Sequence, residues 1–102
     1  MAKDKLRIPP QHNESEQAVL GSIMLRAEAM HEVSDTLSPD AFYSDKHRII
    51  YSAMLKLNAK NEPIDLLSLS TKLEELKQLE STGGRSYLTE LTEKVPASTN
   101  IK

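Results

Sequence analysis

Pro9-Pro10-Gln11-His12-Asn13-Glu14-Ser15-Glu16-Gln17-Ala18-Val19-Leu20-Gly21-Ser22-Ile23-Met24-Leu25 takes the chain from an arm into a helix, and its reading decides the fold class. Proline fixes φ, donates no N–H and pushes the preceding residue out of the α region, so Pro9 and Pro10 predict an extended segment. Asn13 has the residue type of an N-cap and Glu16 stands three residues on, the spacing of a capping box. After it, Val19, Leu20, Ile23, Met24 and Ala27 recur at helical intervals, with Gln17 and Arg26 off that face. Gly21 falls mid-helix, where it costs about 1 kcal/mol relative to Ala. A crowded helix–helix contact there, with an element of the same chain, is the expected compensation.

Working outward, Met30, Val33 and Leu37 predict a short helix over 28–37, interrupted by Ser38-Pro39-Asp40. Ala41-Phe42-Tyr43 predicts a single turn whose Phe42 fills the core. Ser44 and Asp45 have the chemistry of a helix start, and Ile49, Ile50, Ala53, Met54 and Leu57 predict a helix to about Ala59. Tyr51 and Leu55 lie off that stripe and four apart, so they are candidates for a second buried face, against another element or another subunit. Residues 58–63 read as a loop. Asp65 then caps the next helix, with Ile64 and Leu69 placed as a hydrophobic staple and Leu66, Leu69, Leu73 and Leu76 as its stripe. Gly83-Gly84 breaks the chain before a last stripe of Tyr87, Leu88, Leu91 and Val95. The stripes over 49–57 and 66–76 are the expected partners of the first helix. The chain is thus read as all-α, a compact single-domain bundle of about five to six short helices. An extended arm occupies 1–12, a helical head domain 13–95 and the start of a further helix 96–102. A one-turn helix does not sustain itself, so the reading is of a piece of a longer protein.

Composition agrees with that class. One Phe, three Tyr and no Trp in 102 residues argue for a helical domain over a sandwich or barrel. The absence of Cys removes disulfides, thiolate metal sites and Cys nucleophiles, and suits a reducing cytoplasm. The longest apolar uncharged run, Ala18 to Leu25, is far shorter than the roughly 20 residues that span a bilayer, so no membrane partner is expected. A net charge of −2 makes the chain a poor binder of a polyanion by itself. Lys46-His47-Arg48 is read as a solvated helix face, and a small helical DNA-binding domain built on it is the alternative function.

Chemistry-bearing patterns are sparse. Gly83-Gly84 has neither the spacing nor the Lys of a phosphate loop. His12, His31 and His47 have no metal-ligand spacing, so no metal site is expected. Glu14 and Glu16 are two apart and do not face each other, and no serine has a recognisable His and Asp arrangement. No catalytic, cofactor or metal residue is assigned and no enzyme activity is expected of this stretch.

Pro9-Pro10-Gln11, Glu14, Glu16-Gln17, Val19-Leu20-Gly21, Phe42-Tyr43, His47, Pro63-Ile64-Asp65-Leu66, Leu73-Glu74, Leu79, Gly83-Gly84, Tyr87-Leu88, Leu91, Pro96 and Asn100-Ile101, in that order, make the chain resemble the N-terminal domain of the bacterial replicative DNA helicase DnaB. Ser15 and Ala41 depart from the residues usual there. The resemblance implies a head domain joined by a helical linker to a separate ATPase motor, so ATP and Mg belong to the parent protein and no cofactor to this stretch. It implies partners as well: copies of itself in the collar of a hexameric ring, the primase DnaG, and in some bacteria a helicase loader, with little direct nucleic-acid binding. Glu14 and Tyr87 match family positions and are expected to communicate with partners; core packing is the competing reading of Tyr87.

Overall fold

A computed structural model describes residues 13–26 and 28–95, so the expected arm and the start of a further helix lie outside the described residues. The described residues form five α-helices and two 3-10 turns: α1 (Asn13–Leu25), α2 (Glu28–Val33), a 3-10 turn (Pro39–Ala41), α3 (Asp45–Ala59), α4 (Leu66–Glu75), a second 3-10 turn (Glu80–Thr82) and α5 (Gly84–Glu93). Among the described residues there is no strand, and the all-α expectation holds.

Each helix ends for a local reason. The helix expected over 28–37 ends at Val33, after which backbone bonds continue it only as a turn, with Ser34 N–H on Met30 O at 2.8 Å and Thr36 N–H on Val33 O at 3.1 Å. Leu37 N–H still donates to Val33 O at 2.7 Å, an α-type bond that carries the Leu37 side chain into the core. Pro39 opens the first 3-10 turn, where its missing N–H costs nothing, and Phe42 follows it into the interior. Asp65 caps α4 as expected, its carboxylate accepting from Ser68 N–H at 2.8 Å, and the staple pair Ile64 and Leu69 is buried.

Three terminations share one hydrogen-bond pattern, in which a residue in the left-handed region lets the next N–H reach back to the carbonyl five residues before it. Asn61 (φ 58°) ends α3, with Glu62 N–H on Leu57 O at 2.9 Å. Lys77 (φ 60°) ends α4, with Gln78 N–H on Leu73 O at 2.8 Å. Gly83 (φ 103°) ends the second 3-10 turn, with Gly84 N–H on Leu79 O at 2.9 Å. Asn and Gly suit that region; Lys77 sits there against a steric penalty of about 1–2 kcal/mol.

α3 is the central element, in contact with α1, α4 and both 3-10 turns, while α4 also reaches α5. Its buried side is His47, Ile50, Tyr51, Ala53, Met54 and Leu57, rotated from the expected stripe so that Tyr51 is fully buried and Ile49 only partly. Tyr51 donates its hydroxyl to Leu37 O at 2.8 Å, and its ring centroid lies 5.3 Å from that of Phe42. Burial pushes its phenol up to about 12. On α4, Leu69 and Leu73 are buried, whereas the outer members of the expected stripe, Leu66 and Leu76, are each 38% exposed.

The main partner of α1 is α5, then α3; α4, expected against α1, packs on α3 and α5 instead. Gly21 is where α1 and α5 meet. A Cβ added there overlaps the Leu91 carbonyl oxygen and comes within 2.8 Å of Val95 Cγ2 and 2.9 Å of Leu91 C. The crowded contact is with the chain's own α5.

Candidate functional site

The buried side of α1 is Glu16, Gln17, Leu20, Gly21, Ile23 and Met24, so its first turn carries two polar side chains toward the interior. Glu16 does not complete a capping box. Its carboxylate reaches across to the chain segment opening α3: Oε2 accepts from Tyr43 N–H at 2.7 Å, and Oε1 accepts from Ser44 N–H at 3.4 Å and meets His47 Nδ1 at 2.7 Å. Ser44 is the N-cap of α3 and makes no side-chain capping bond itself. Glu16 instead holds, from another helix, the N–H groups of Tyr43 and Ser44 just before α3 and the His47 ring in its first turn, and its acceptor oxygens lie at the positive end of the α3 dipole.

His47 is 1% exposed, not part of a solvated face. A carboxylate accepts and does not donate, so the proton between Glu16 and His47 is on Nδ1, and in the neutral ring Nε2 accepts. Facing Nε2 at 2.5 Å is the Tyr87 hydroxyl, which in turn accepts from Gln17 Nε2–H at 3.1 Å. Burial raises the Tyr87 phenol above its ordinary value; the Gln17 hydrogen bond opposes this, and the charges of Glu90 and Glu16 reinforce it. The hydroxyl thus keeps its proton, and with the proton of a neutral His47 ring on Nδ1 it donates to Nε2. One continuous chain results, Gln17 to Tyr87 to His47 to Glu16, joining α1, α5 and α3. No buried polar side-chain atom among the described residues lacks a partner.

Packing fixes the rings. The His47 and Tyr87 rings stack at 5.9 Å with 14° between planes, Phe42 meets His47 edge-on at 6.4 Å, and Lys46 Nζ stands 3.9 Å above the Tyr87 ring. Gly83 makes the place for Tyr87: a Cβ at Gly83 would lie 2.6 Å from Tyr87 Cβ. Arg48 is committed too, donating to Phe42 O at 3.1 Å and Tyr43 O at 2.9 Å and pairing with Asp45 at 2.8 Å.

The order hydroxyl, imidazole, carboxylate is that of an activated nucleophile. Here the phenol is raised rather than lowered and its oxygen is already bonded on two sides. The grooves over the outer face of α5, between α3 and the turn after α4, and between α3 and α4 are lined by other residues. The arrangement serves to lock three helices in one relative position. Among the described residues no three His, Asp or Glu side chains gather as a metal site, and His31 is exposed.

The remaining sequence candidates are scattered. Glu14 is exposed on the first turn of α1, Leu55 is half-buried at the edge of the core, Tyr51 has no exposed surface and Tyr87 is half-buried within the network. Glu16, Gln17 and His47 form a buried polar core that apolar stripes alone do not reveal. Helical period carried the signal: Glu16 precedes Leu20 by four and Ile23 by seven, and His47 precedes Ile50 by three, Tyr51 by four and Met54 by seven.

Residues 8–102 match the model of the DnaB-like helicase N terminal domain. The replicative DNA helicase DnaC of Bacillus subtilis is 46% identical over 96 residues, 94% of this chain and 21% of that protein. The replicative DNA helicase DnaB of Geobacillus stearothermophilus is 44% identical, with the same 94% and 21% covered. The crystal structure of the N-terminal domain of DnaB helicase from Mycobacterium tuberculosis superposes with a TM-score of 0.84 at 35% identity, over 91% of this chain and 66% of that one. The chain spans about a fifth of the length of these two helicases.

Proposed function

The chain belongs to the family of DnaB-like helicase N-terminal domains, and from that premise we propose that it is the head domain of a replicative DNA helicase that unwinds the duplex at the replication fork. Its work is association: pairing with other heads in the collar of a hexameric ring, and docking a primase and, where one is used, a helicase loader. ATP and Mg act in a separate motor domain of the parent protein, in the cytoplasm. The observation that carries this reading is the family match across residues 8–102, which includes every described helix.

The geometry supports a scaffold. The polar chain through Glu16, His47 and Tyr87 rigidifies the junction of α1, α3 and α5, so a contact on one helix is presented in fixed relation to the others. Glu14, exposed on α1, is the proposed partner contact. Leu55, at the edge of α3, is the proposed contact with another subunit, with Tyr51 supporting that helix from inside. Tyr87 communicates through the position of α5. A DNA-binding reading on Lys46, His47 and Arg48 is disfavoured, because His47 is buried and Arg48 is occupied by its own chain.

Two measurements test the proposal. Sedimentation velocity of this chain should show concentration-dependent self-association, and a strictly monomeric species at high concentration would remove the pairing surface. In the full-length helicase, Glu14→Lys should weaken primase stimulation of unwinding while rings still assemble; unchanged stimulation takes Glu14 off the surface.

A further inference from the structure

Among the described residues His47 is the buried imidazole, and both of its ring nitrogens are engaged. Nδ1 donates to Glu16, so a second proton has only Nε2 to enter, the atom on which the Tyr87 hydroxyl donates at 2.5 Å. That line holds one proton. Once Nε2 carries it, Tyr87 must accept there and turn its own proton elsewhere. The next group along is Gln17, whose amide nitrogen lies 3.1 Å from the same hydroxyl. A phenol and a primary amide can each donate and accept, and an amide turned about its last bond puts its carbonyl oxygen where its NH2 stood. We infer that His47 is a proton-binding switch: uptake at Nε2 reverses the hydrogen bonds of Tyr87 and Gln17 while the fold stays in place.

Both states keep every bond of the chain. With the ring neutral, the bonds run from the Gln17 amide N–H through the Tyr87 hydroxyl and His47 to Glu16. With the ring charged, His47 donates from both nitrogens, to Glu16 and to Tyr87, and Tyr87 donates to the Gln17 carbonyl. The protons balance: Nε2 takes the Tyr87 proton, solvent returns one to the phenol oxygen, and the junction gains one positive charge. Tyr87 is half-buried, which makes it the link between ring and solvent. The charges facing His47 are few. From α1 the Glu16 carboxylate, 2.7 Å away, receives the imidazolium as an ion pair. From α5 come the Tyr87 phenol and, beyond it, the charge of Glu90. On α3 itself Lys46 stands over the Tyr87 ring and repels a further cation, while Arg48 is paired with Asp45. Phe42, edge-on to the ring, is uncharged, and Asp40 and Glu14 on the neighbouring elements are exposed. A histidine that only fills space needs less: a fixed donor in place of Tyr87, with an apolar side chain in place of Gln17, would hold the neutral ring. Two groups in series that both donate and accept are what a ring of changing charge requires.

The inference is independent of the helicase reading and is tested on this chain alone. Long-range proton–nitrogen spectra of the labelled protein, recorded from about pH 8 to about pH 4, show which imidazole nitrogen carries a proton. His31, exposed on α2, is the control. His47 Nδ1 should stay protonated throughout, and Nε2 should pass from bare to protonated. The Tyr87 Cζ and Gln17 side-chain amide signals should move with the same midpoint, and the backbone amide spectrum should stay dispersed across it. Tyr87→Phe leaves the charged N–H without its acceptor. Because a bond from a charged donor is stronger than one to the neutral ring, this variant should lower the midpoint by at least about 0.5 pH unit. Should Tyr87→Phe not fold, the titration of the unaltered chain decides by itself. The inference is overturned if Nε2 stays bare until the domain unfolds, if backbone dispersion is lost at the His47 midpoint, if the Tyr87 and Gln17 signals ignore that midpoint, or if folded Tyr87→Phe leaves it unchanged.

Discussion

Replacing Glu16 by alanine removes the acceptor at the centre of the buried network. The two short bonds, to Tyr43 N–H and His47 Nδ1, are both 2.7 Å long, and the 3.4 Å contact with Ser44 N–H is too long to weigh much. Hydrogen bonds to a charged acceptor contribute about 1.5–3 kcal/mol each. Their loss together comes to about 3–5 kcal/mol, the range found when one partner of a buried pair is deleted. Against a total stability of about 5–15 kcal/mol for a domain of this size, that is a large fraction. The melting temperature should fall by at least about 12 °C, at 4–8 °C per kcal/mol. Far-UV circular dichroism with urea and thermal melts measures it. Glu16→Gln keeps one acceptor for Tyr43 N–H and offers an amide N–H to His47, whose ring then moves its proton to Nε2; it should recover about half of the loss. In a double-mutant cycle with His47→Leu, the two losses should fall short of additivity by about 2 kcal/mol, because the second change removes the donor that the first leaves unpaired. A loss under about 1 kcal/mol for Glu16→Ala, or strict additivity in the cycle, would refute this account of the core.

Gly21→Ala improves helix propensity by about 1 kcal/mol but drives a methyl into the Leu91 backbone and Val95, so a net destabilisation of about 2 kcal/mol is expected in melts, and Gly21→Leu should prevent folding. Gly21→Ala raising the melting temperature would contradict the close approach of α1 and α5. Lys77→Gly should stabilise by about 0.5–1 kcal/mol through relief of the left-handed conformation, read by urea midpoint. Alkaline pH should destabilise: the Tyr51 phenol stands at about 12 in the fold against an ordinary 10.0, so the unfolded chain loses that proton first. Stability is kept below about pH 10 and falls by up to about 3 kcal/mol as pH rises toward 12, with Tyr87 adding in the same direction. Urea unfolding between pH 9 and 11 should show a slope that Tyr51→Phe flattens; an unchanged slope would place the titration elsewhere.

Local chemistry explains what was legible in the sequence. Asp65 with Ile64 and Leu69, the punctuation at Pro39 and Gly83, the plug at Phe42 and the span of α3 each depend on residues within one or two turns, and each is found. The residue pattern also places the glycine contact on the chain's own body and α3 beside α1, but it puts α4 where α5 packs: the two helices are equally long with two fully buried leucines each, and Leu66 and Leu76, which lengthen the α4 stripe in the sequence, are each 38% exposed. Glu16 was misread because two uses of one carboxylate compete. A capping box is visible within a few residues, whereas the N-terminus of α3 lies 27 to 31 residues away in the chain and becomes a competitor only once the helices are packed. His47 was misjudged by its neighbours, since Lys46 and Arg48 suggest a wet face although the helical period of Ile50, Tyr51 and Met54 puts it inside.

The cap that α1 supplies to α3 also bears on how the chain folds. Helix nucleation is the unfavourable step, and the first turn of α3 meets its acceptor only after a segment some thirty residues earlier has docked. The start of the central helix is thereby a long-range event, and α3 excised as a peptide should fray from its N-terminal end. Within the intact chain, the amide hydrogen of Tyr43 should exchange with solvent only when α1 separates from α3, so its protection reports the opening of the whole domain rather than the fraying of one helix.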